Sequence, residues 1–131
     1  MKSKPETNTN AGKRILIVDD DAQIREVFGA LLEASGYHVE TAEHALAAIA
    51  SIVRIPPDLI LADIRMPIVD GLGLVRELKS HPDSRLIPVI AVTGHDSQET
   101  RAAALQAGCV DYITKPVNPQ GLLRQIAQVC R

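Results

Sequence analysis

Reactive side chains follow four of the five short apolar runs in this sequence. Asp19 and Asp20 come directly after the first run, and Asp63 follows the third. Thr93 and Lys115 come after the fourth and fifth runs and add a hydroxyl and an ammonium group. Carboxylates, a hydroxyl and an ammonium group that meet in one pocket could hold a divalent cation against a phosphoryl group.

Such a pocket would need a cation to balance its charge. The three carboxylates would bring −3 and Lys115 would return +1, which leaves −2. Two like charges about 4 Å apart repel by about 1 kcal/mol in water and about 4 kcal/mol at an effective dielectric of about 20. Because no His or Cys directly follows these runs, the ligands would be oxygen atoms, which select a hard ion. We therefore expect Mg2+, the usual hard ion of the cytosol.

The elements that must position these residues are predicted by the pattern of apolar residues. Short apolar runs predict buried strands, and the longer segments between them have apolar residues at helical spacing. The predicted strands are 15–18, 37–41, 59–62, 87–92 and 110–113. Strands that alternate with helices predict a doubly wound α/β fold, with a five-stranded parallel sheet and five helices.

We expect this sheet to have the flavodoxin-like strand order 2-1-3-4-5, in which ligands bind outside the carboxyl ends of the strands. Strand two then lies at the edge, and the residues at its end, Thr41 and Ala42, carry no charge. The charged residues that follow the other strands would converge on the crevice between strands one and three.

The helices are predicted from their start residues and their apolar faces. Asp21 is the expected cap of the first helix, and Asn118 followed by Pro119 starts the last. The apolar stripe of the first helix consists of Ile24, Val27, Phe28, Leu31 and Leu32. The second helix spans about 43–53, the third carries Leu72, Val75 and Leu78, the fourth spans about 97–107, and the last carries Leu122, Leu123, Ile126 and Val129.

The fourth predicted helix offers a small apolar face. Between 97 and 107 the only large apolar residue is Leu105, and the others are alanines. Small side chains gain less free energy from burial than branched or aromatic ones. One hypothesis is that this helix is weakly docked and mobile. The alternative is that alanine simply allows close packing.

Composition excludes several classes of function. The 131 residues are 46% hydrophobic, which predicts one globular domain. A net charge of −2 without a basic stripe argues against direct binding to nucleic acid. No apolar run approaches the ~18 residues of a membrane span, so we expect no membrane association. The polar residues 1–12 predict a disordered tail before a domain at 13–131, and Cys109 and Cys130 are expected to be buried thiols.

Four short motifs resemble those of one signalling family. They are IVDD (17–20), ILADIRMP (60–67), AVTG (91–94) and DYITKP (111–116). Together and in this order they resemble the receiver domain of two-component response regulators, over nearly the whole chain. The resemblance implies that Asp63 is the nucleophile that takes a phosphoryl group from a phosphohistidine donor.

The resemblance also implies a metal site around that nucleophile. Asp20 would bind Mg2+ directly, and Asp19 would bind it through water or as a second ligand. Asp63 would belong to the same site. The backbone carbonyl of Arg65, two residues past the nucleophile, would supply a further ligand.

The remaining motif residues would form the switch. Lys115 would pair with one phosphoryl oxygen, and Thr93 would donate its hydroxyl to another once Asp63 is modified. Tyr112 matches the aromatic residue that turns inward on activation, and Pro116 matches a proline whose preceding peptide is often cis. The protein would then be no enzyme, because it would catalyse only its own phosphorylation and dephosphorylation.

The resemblance further implies a bacterial, cytoplasmic phosphoprotein. Its donor would be a sensor histidine kinase or a histidine phosphotransfer protein. The face formed by helix four, strand five and helix five would bind an unidentified downstream protein. A stand-alone receiver, a phosphorelay intermediate and a fragment of a longer regulator all fit the sequence.

Two alternatives from other classes remain open. Asp19 and Asp21 form the Asp-x-Asp pattern of Mg2+-dependent phosphohydrolases, in which Asp19 would be the nucleophile. Against this, Gln23 stands where such hydrolases usually have Thr or Val, and no segment is long enough for a cap over the substrate. A flavin-binding module is disfavoured, because aromatic residues make up only 2% of the chain.

Overall fold

The computed structural model of the protein describes residues 12–64, 68–94 and 96–130, except for the side chains of 68–71. Strands and helices alternate along these residues. The strands are β1 (Arg14–Val18), β2 (His38–Ala42), β3 (Leu59–Ile64), β4 (Val89–Thr93) and β5 (Asp111–Thr114). The helices are α1 (Ala22–Ala34), α2 (Ala45–Arg54), α3 (Ile68–Ser80), α4 (Gln98–Ala107) and α5 (Pro119–Val129). Apart from Gly12, the predicted tail lies outside the described residues.

The five strands form one parallel sheet in the order β2-β1-β3-β4-β5. The predicted doubly wound, flavodoxin-like fold is therefore confirmed. The register brings the carboxyl ends of the strands together: Val18 lies beside both Ala42 and Ala62, and Thr93 lies beside both Ile64 and Thr114. Residues at the ends of four strands thus meet at one edge, as the site requires.

Helices cover both faces of the sheet. Successive side chains of a strand point to opposite faces, so one strand can pack against helices on both sides. In β1, Leu16 packs on the side of α2, α3 and α4, whereas Ile17 packs on the side of α1 and α5. The core residues of the strands are almost fully buried on both faces. Such burial explains the continuous apolar runs of β1, β3 and β4, which helices cover on both faces, whereas the edge strand β2 is mostly exposed.

Side chains cap the helices at the expected places. The Asp21 carboxylate accepts hydrogen bonds from backbone N–H groups at the start of α1, and Asn118 accepts one from the N–H of Gly121 in α5. Helix α2 begins two residues later than predicted. There the imidazole of His44 accepts a hydrogen bond from the N–H of Ala47 and caps the helix.

The face that α1 buries differs from the prediction at one position. Val27 was expected on the apolar stripe, yet it is 55% exposed, while Phe28 and Leu32 are buried. Gly29 is also buried, and a Cβ built on it would make an ordinary van der Waals contact of 3.7 Å with the Val39 side chain of β2. The buried face of α1 is thus centred on 28, 29 and 32, and Val27 lies at its margin.

Candidate metal centre

The nucleophile predicted by the sequence lies inside β3 rather than after it. The strand continues to Ile64, because Asp63 and Ile64 pair with Val92 and Thr93 of β4. Its position near the carboxyl end of a central strand places Asp63 in the crevice beside β1. The Asp63 side chain is only 5% exposed, so its charge is held largely away from water.

Asp19 is held by contacts at both its backbone and its side chain. Its N–H donates to the carbonyl of Ala42 at 3.0 Å, which extends the β1–β2 pairing by one residue. Its carboxylate oxygen Oδ1 accepts a hydrogen bond from the N–H of Asp21 at 2.9 Å. These contacts fix Asp19 at the end of β1 while leaving its second carboxylate oxygen, Oδ2, directed toward Lys115.

Three carboxylates meet in this crevice. One oxygen each from Asp19, Asp20 and Asp63 lies within 4.8 Å of the others. Asp19 is buried and Asp20 is exposed, so the cluster has one side open to solvent. A donor set made only of carboxylate oxygens suits a hard divalent cation such as Mg2+. Arg65, the fourth ligand implied by the sequence, lies outside the described residues.

Lys115 supplies the cation that the sequence predicts beside these carboxylates. Its ammonium nitrogen Nζ lies 3.0 Å from Asp63 Oδ1 and 3.9 Å from Asp19 Oδ2. Its backbone N–H donates to the carbonyl of Thr93 at 2.8 Å, and the peptide that follows, Lys115-Pro116, is cis. The lysine thus joins the ends of β4 and β5 through its backbone and reaches the ends of β1 and β3 with its side chain.

The two predicted switch residues lie on the neighbouring strands β4 and β5. Thr93 is the last residue of β4 and is 2% exposed, beside Ile64 of β3. Tyr112 lies on β5, is partly buried, and packs against the core on the side of α2, α3 and α4. Tyr112 also contacts α4, because the guanidinium carbon of Arg101 lies 5.0 Å from the centre of its ring.

Two functional candidates, both arginines, escape sequence analysis. Arg25 of α1 donates a hydrogen bond to the backbone carbonyl of Asp19 at 2.8 Å. Arg101 of α4 forms an ion pair with Asp96 and lies over the ring of Tyr112. A pattern search misses Arg25, because its partner is a backbone atom. In the sequence, the Asp96–Arg101 pair is visible only as two opposite charges five residues apart across a helix start. Many solvent-facing charged residues have this spacing, so it does not single out the pair.

The fold and the cluster together define a class: a flavodoxin-like domain with an acidic pocket, at the carboxyl edge of its sheet, that could bind a metal ion. Residues 15–127 match the response regulator receiver domain family, so the chain belongs to that family. The resemblance of the four motifs is confirmed. Within the part of the chain that the structure describes, no helix combines the length and apolar character needed to cross a membrane.

Similar proteins include regulators and single receiver domains. The chain is 38% identical over 122 residues to an uncharacterised 14.6 kDa protein of Leptolyngbya boryana, covering 93% of both. It is 42% identical over 120 residues to the phosphate regulon transcriptional regulatory protein PhoB of Pseudomonas aeruginosa, covering 92% of this chain and 52% of PhoB. The chain thus spans about half the length of PhoB. Among solved structures, the chemotaxis protein CheY4 of Vibrio cholerae matches with a TM-score of 0.84 and 29% identity, over 91% of this chain and 99% of that one.

Proposed function

We propose that this protein is a phosphoryl-accepting switch in which Asp63 takes a phosphoryl group from a phosphohistidine of a sensor histidine kinase or a histidine phosphotransfer protein. The observation that carries the proposal is the position of the Lys115 ammonium, 3.0 Å from the Asp63 carboxylate and beside the other two carboxylates. Family membership supports it, because receiver domains of response regulators are signalling switches.

The chemistry proposed for Asp63 is nucleophilic. A carboxylate oxygen of Asp63 forms a bond to phosphorus, and the phosphorus–nitrogen bond of the donor breaks. The electron pair of that bond stays on the imidazole nitrogen, and the product on Asp63 is an acyl phosphate. Transfers of this kind depend mainly on positioning and on neutralising the charge of the phosphoryl oxygens. Lys115 is placed to provide that neutralisation on one side of Asp63.

We assign the metal site to Asp19, Asp20 and Asp63, with the carbonyl of Arg65 as a further ligand. Bound Mg2+ would neutralise charge on the phosphoryl oxygens. The protein's own part is to hold the carboxylates in place before the donor arrives. Asp19 does so through the hydrogen bonds of its backbone N–H and its Oδ1 atom, and Arg25 holds the Asp19 carbonyl that leads to Asp20.

Modification would be sensed by Thr93. An acyl phosphate makes the pocket about one charge more negative than the carboxylate did, which attracts a hydroxyl donor. The Thr93 carbonyl accepts a hydrogen bond from the N–H of Lys115, so the response would come from the Thr93 hydroxyl, and the loop after Thr93 would move with it. That loop leads into α4, and the ring of Tyr112 contacts Arg101 of the same helix. We therefore propose the face of α4, β5 and α5 as the output surface, and a protein as its partner.

The proposal places the receiver domain at residues 13–131 and the protein in the bacterial cytoplasm, where its phosphodonors would act. The protein turns over no separate substrate. Its catalysis would be limited to forming and losing its own acyl phosphate. The identity of the output partner is a separate proposal from the receiver chemistry. The same holds for a role of the domain within a longer regulator.

The test is Mg2+-dependent labelling with a radioactive small-molecule phosphodonor such as acetyl phosphate. The wild type should become labelled, and Asp63→Asn should lose at least nine-tenths of the label. The exposed Asp83→Asn serves as the matched control and should be labelled like the wild type. Labelling retained in Asp63→Asn and lost in Asp19→Asn would contradict the proposal and support the Asp19 phosphohydrolase instead.

A further inference from the structure

Arg101 joins two elements of the proposed switch. Its guanidinium Nε and Nη2 donate to the two carboxylate oxygens of Asp96 at 2.8 and 3.0 Å. The central carbon of the same guanidinium group lies 5.0 Å from the centre of the Tyr112 ring. Asp96 belongs to the loop between β4 and α4, and Tyr112 belongs to β5. One side chain on α4 therefore contacts both the loop that follows Thr93 and the strand that precedes Lys115.

The geometry of the contact is specific to arginine. Two parallel hydrogen bonds orient the planar guanidinium, and a planar cation can also stack on an aromatic face. A lysine would keep the charge but would lose the second hydrogen bond and the stacking. The side chains of Asp96 and Arg101 also form one wall of an open groove of about 450 Å3 beside Tyr112.

The start of α4 is held by a cap, because the Ser97 hydroxyl accepts a hydrogen bond from the N–H of Thr100 at 3.1 Å. The buried residues of this helix, Thr100, Ala104 and Ala107, are all small, and its one large apolar residue, Leu105, is 54% exposed. These small buried side chains contribute less free energy of burial than the larger ones that α1 and α5 bury. Arg101 adds to these residues a contact from the amino-terminal half of α4 to the Tyr112 ring of β5.

We propose that Arg101 is a positioning residue that holds the loop after Thr93 and the ring of Tyr112 in the arrangement of the unmodified protein. The inference rests on the proposed function, because it names how the switch at Asp63 is regulated. If Thr93 moves toward a phosphoryl group, Asp96, three residues further on, is displaced with the loop. Arg101 then loses its contact with Asp96 or its contact with Tyr112. The free energy of the lost contact opposes the switch.

A contact present in only one of two states shifts the equilibrium between them and, by linkage, the affinity for any ligand that prefers the other state. Removing the Arg101 contacts should therefore favour the modified-like state. Ion pairs and cation–π contacts at exposed positions are weak, so the effect is modest. We expect a gain of roughly threefold to tenfold in affinity for a phosphoryl mimic.

The experiment measures binding of beryllofluoride in the presence of Mg2+ to the wild type, Arg101→Gln and Arg101→Lys. Arg101→Gln should bind roughly threefold to tenfold more tightly, and Arg101→Lys should lie between it and the wild type. Arg124→Gln, which removes the same charge from an exposed site on α5, should bind like the wild type. Equal or weaker binding by Arg101→Gln would overturn the inference, since loss of a merely structural contact gives no gain.

A double-mutant cycle with Asp96→Asn provides a second readout. If Arg101 acts by bridging, Arg101→Gln, Asp96→Asn and the double variant should show similar gains, because each change releases the same contact. Additive gains would contradict a shared contact. Failure of the wild type itself to bind beryllofluoride would refute the phosphoacceptor function, whereas binding by the wild type with no gain in the variants would refute only the role of Arg101.

Discussion

The ammonium group of Lys115 lies 3.0 Å from the carboxylate of Asp63, although β4 separates the strands that carry them. The lysine follows β5, so its side chain crosses the end of β4 to reach β3. It also approaches Asp19 at 3.9 Å, beyond the end of β1. One flexible cation therefore lies among carboxylates from two other strands, and it offsets part of their mutual repulsion.

Replacing this cation should change metal binding and labelling in opposite directions. In Lys115→Met, Mg2+ should bind roughly tenfold more tightly, because a competing positive charge has been removed and Lys115 is partly screened by solvent at 29% side-chain exposure. Labelling by a small phosphodonor should slow by roughly a hundredfold, since a donor to the phosphoryl oxygens is lost. Isothermal titration and initial labelling rates measure the two effects.

The control for Lys115→Met is Lys13→Met, which removes a lysine that precedes β1 at the opposite end of the sheet. This variant should keep both the Mg2+ affinity and the labelling rate of the wild type. If Lys115→Met bound Mg2+ no more tightly than Lys13→Met, the ammonium would not share the electrostatic environment of the metal site.

The central strands should dominate the stability of the domain. Ile60 of β3 is completely buried, so Ile60→Ala should lower the free energy of unfolding by about 2–5 kcal/mol. Leu86→Ala is the matched control, because Leu86 is 83% exposed, and it should change stability by less than about 0.5 kcal/mol. Urea denaturation measures both changes in stability. Similar denaturation midpoints for the two variants would contradict the burial of Ile60 in the core.

Helix α4 should be less protected from hydrogen exchange than α1 and α5. Its buried residues are small, whereas α1 buries Phe28 and Leu32 and α5 buries Leu122 and Ile126. Backbone amides in α4 should exchange with solvent roughly tenfold faster than those in α1 or α5, because less apolar surface has to be exposed to open it. Hydrogen exchange measured by mass spectrometry tests this; equal protection would favour close packing of the alanines instead.

The thiol of Cys109 should make the fold sensitive to alkaline pH. Burial raises its pKa from 9.0 to about 11, although the nearby charge of Lys79 acts in the opposite direction. Between these values the unfolded chain loses the proton while the folded chain keeps it, so stability falls as pH rises. A shift of this size corresponds to about 2–3 kcal/mol, present in full below pH ~9 and lost by pH ~11.

Comparison with Cys109→Ala isolates this contribution, because the other alkaline groups remain in both proteins. The variant should lose less stability than the wild type between pH 9 and 11. Urea denaturation at several pH values measures this loss. If stability fell equally with pH in both proteins, the thiol would titrate alike in the folded and unfolded chains. Alkylation of the folded wild type near pH 8 should also be slow at this buried cysteine.

Strand ends show where local patterns stop being informative. The apolar run predicts that the third strand ends at 62, yet β3 continues through Asp63 to Ile64. A polar residue ends an apolar run, but it does not end a strand whose neighbour still offers hydrogen bonds, and β4 does so here. The prediction placed Asp63 at the correct edge of the sheet and misplaced it only with respect to the strand boundary.

Local sequence is enough to predict the alternation of strands and helices, the helix caps at Asp21 and Asn118, and the set of residues at the carboxyl edge. These features depend on periodicity and on contacts within a few residues, which a single sequence contains. Three contacts become visible only in the folded chain: Lys115 with Asp63 at 3.0 Å, Arg25 with the carbonyl of Asp19, and Arg101 with the ring of Tyr112. Each of these contacts joins residues from different elements, so it depends on strand order, helix rotation and side-chain conformation, which the chain acquires only when it packs.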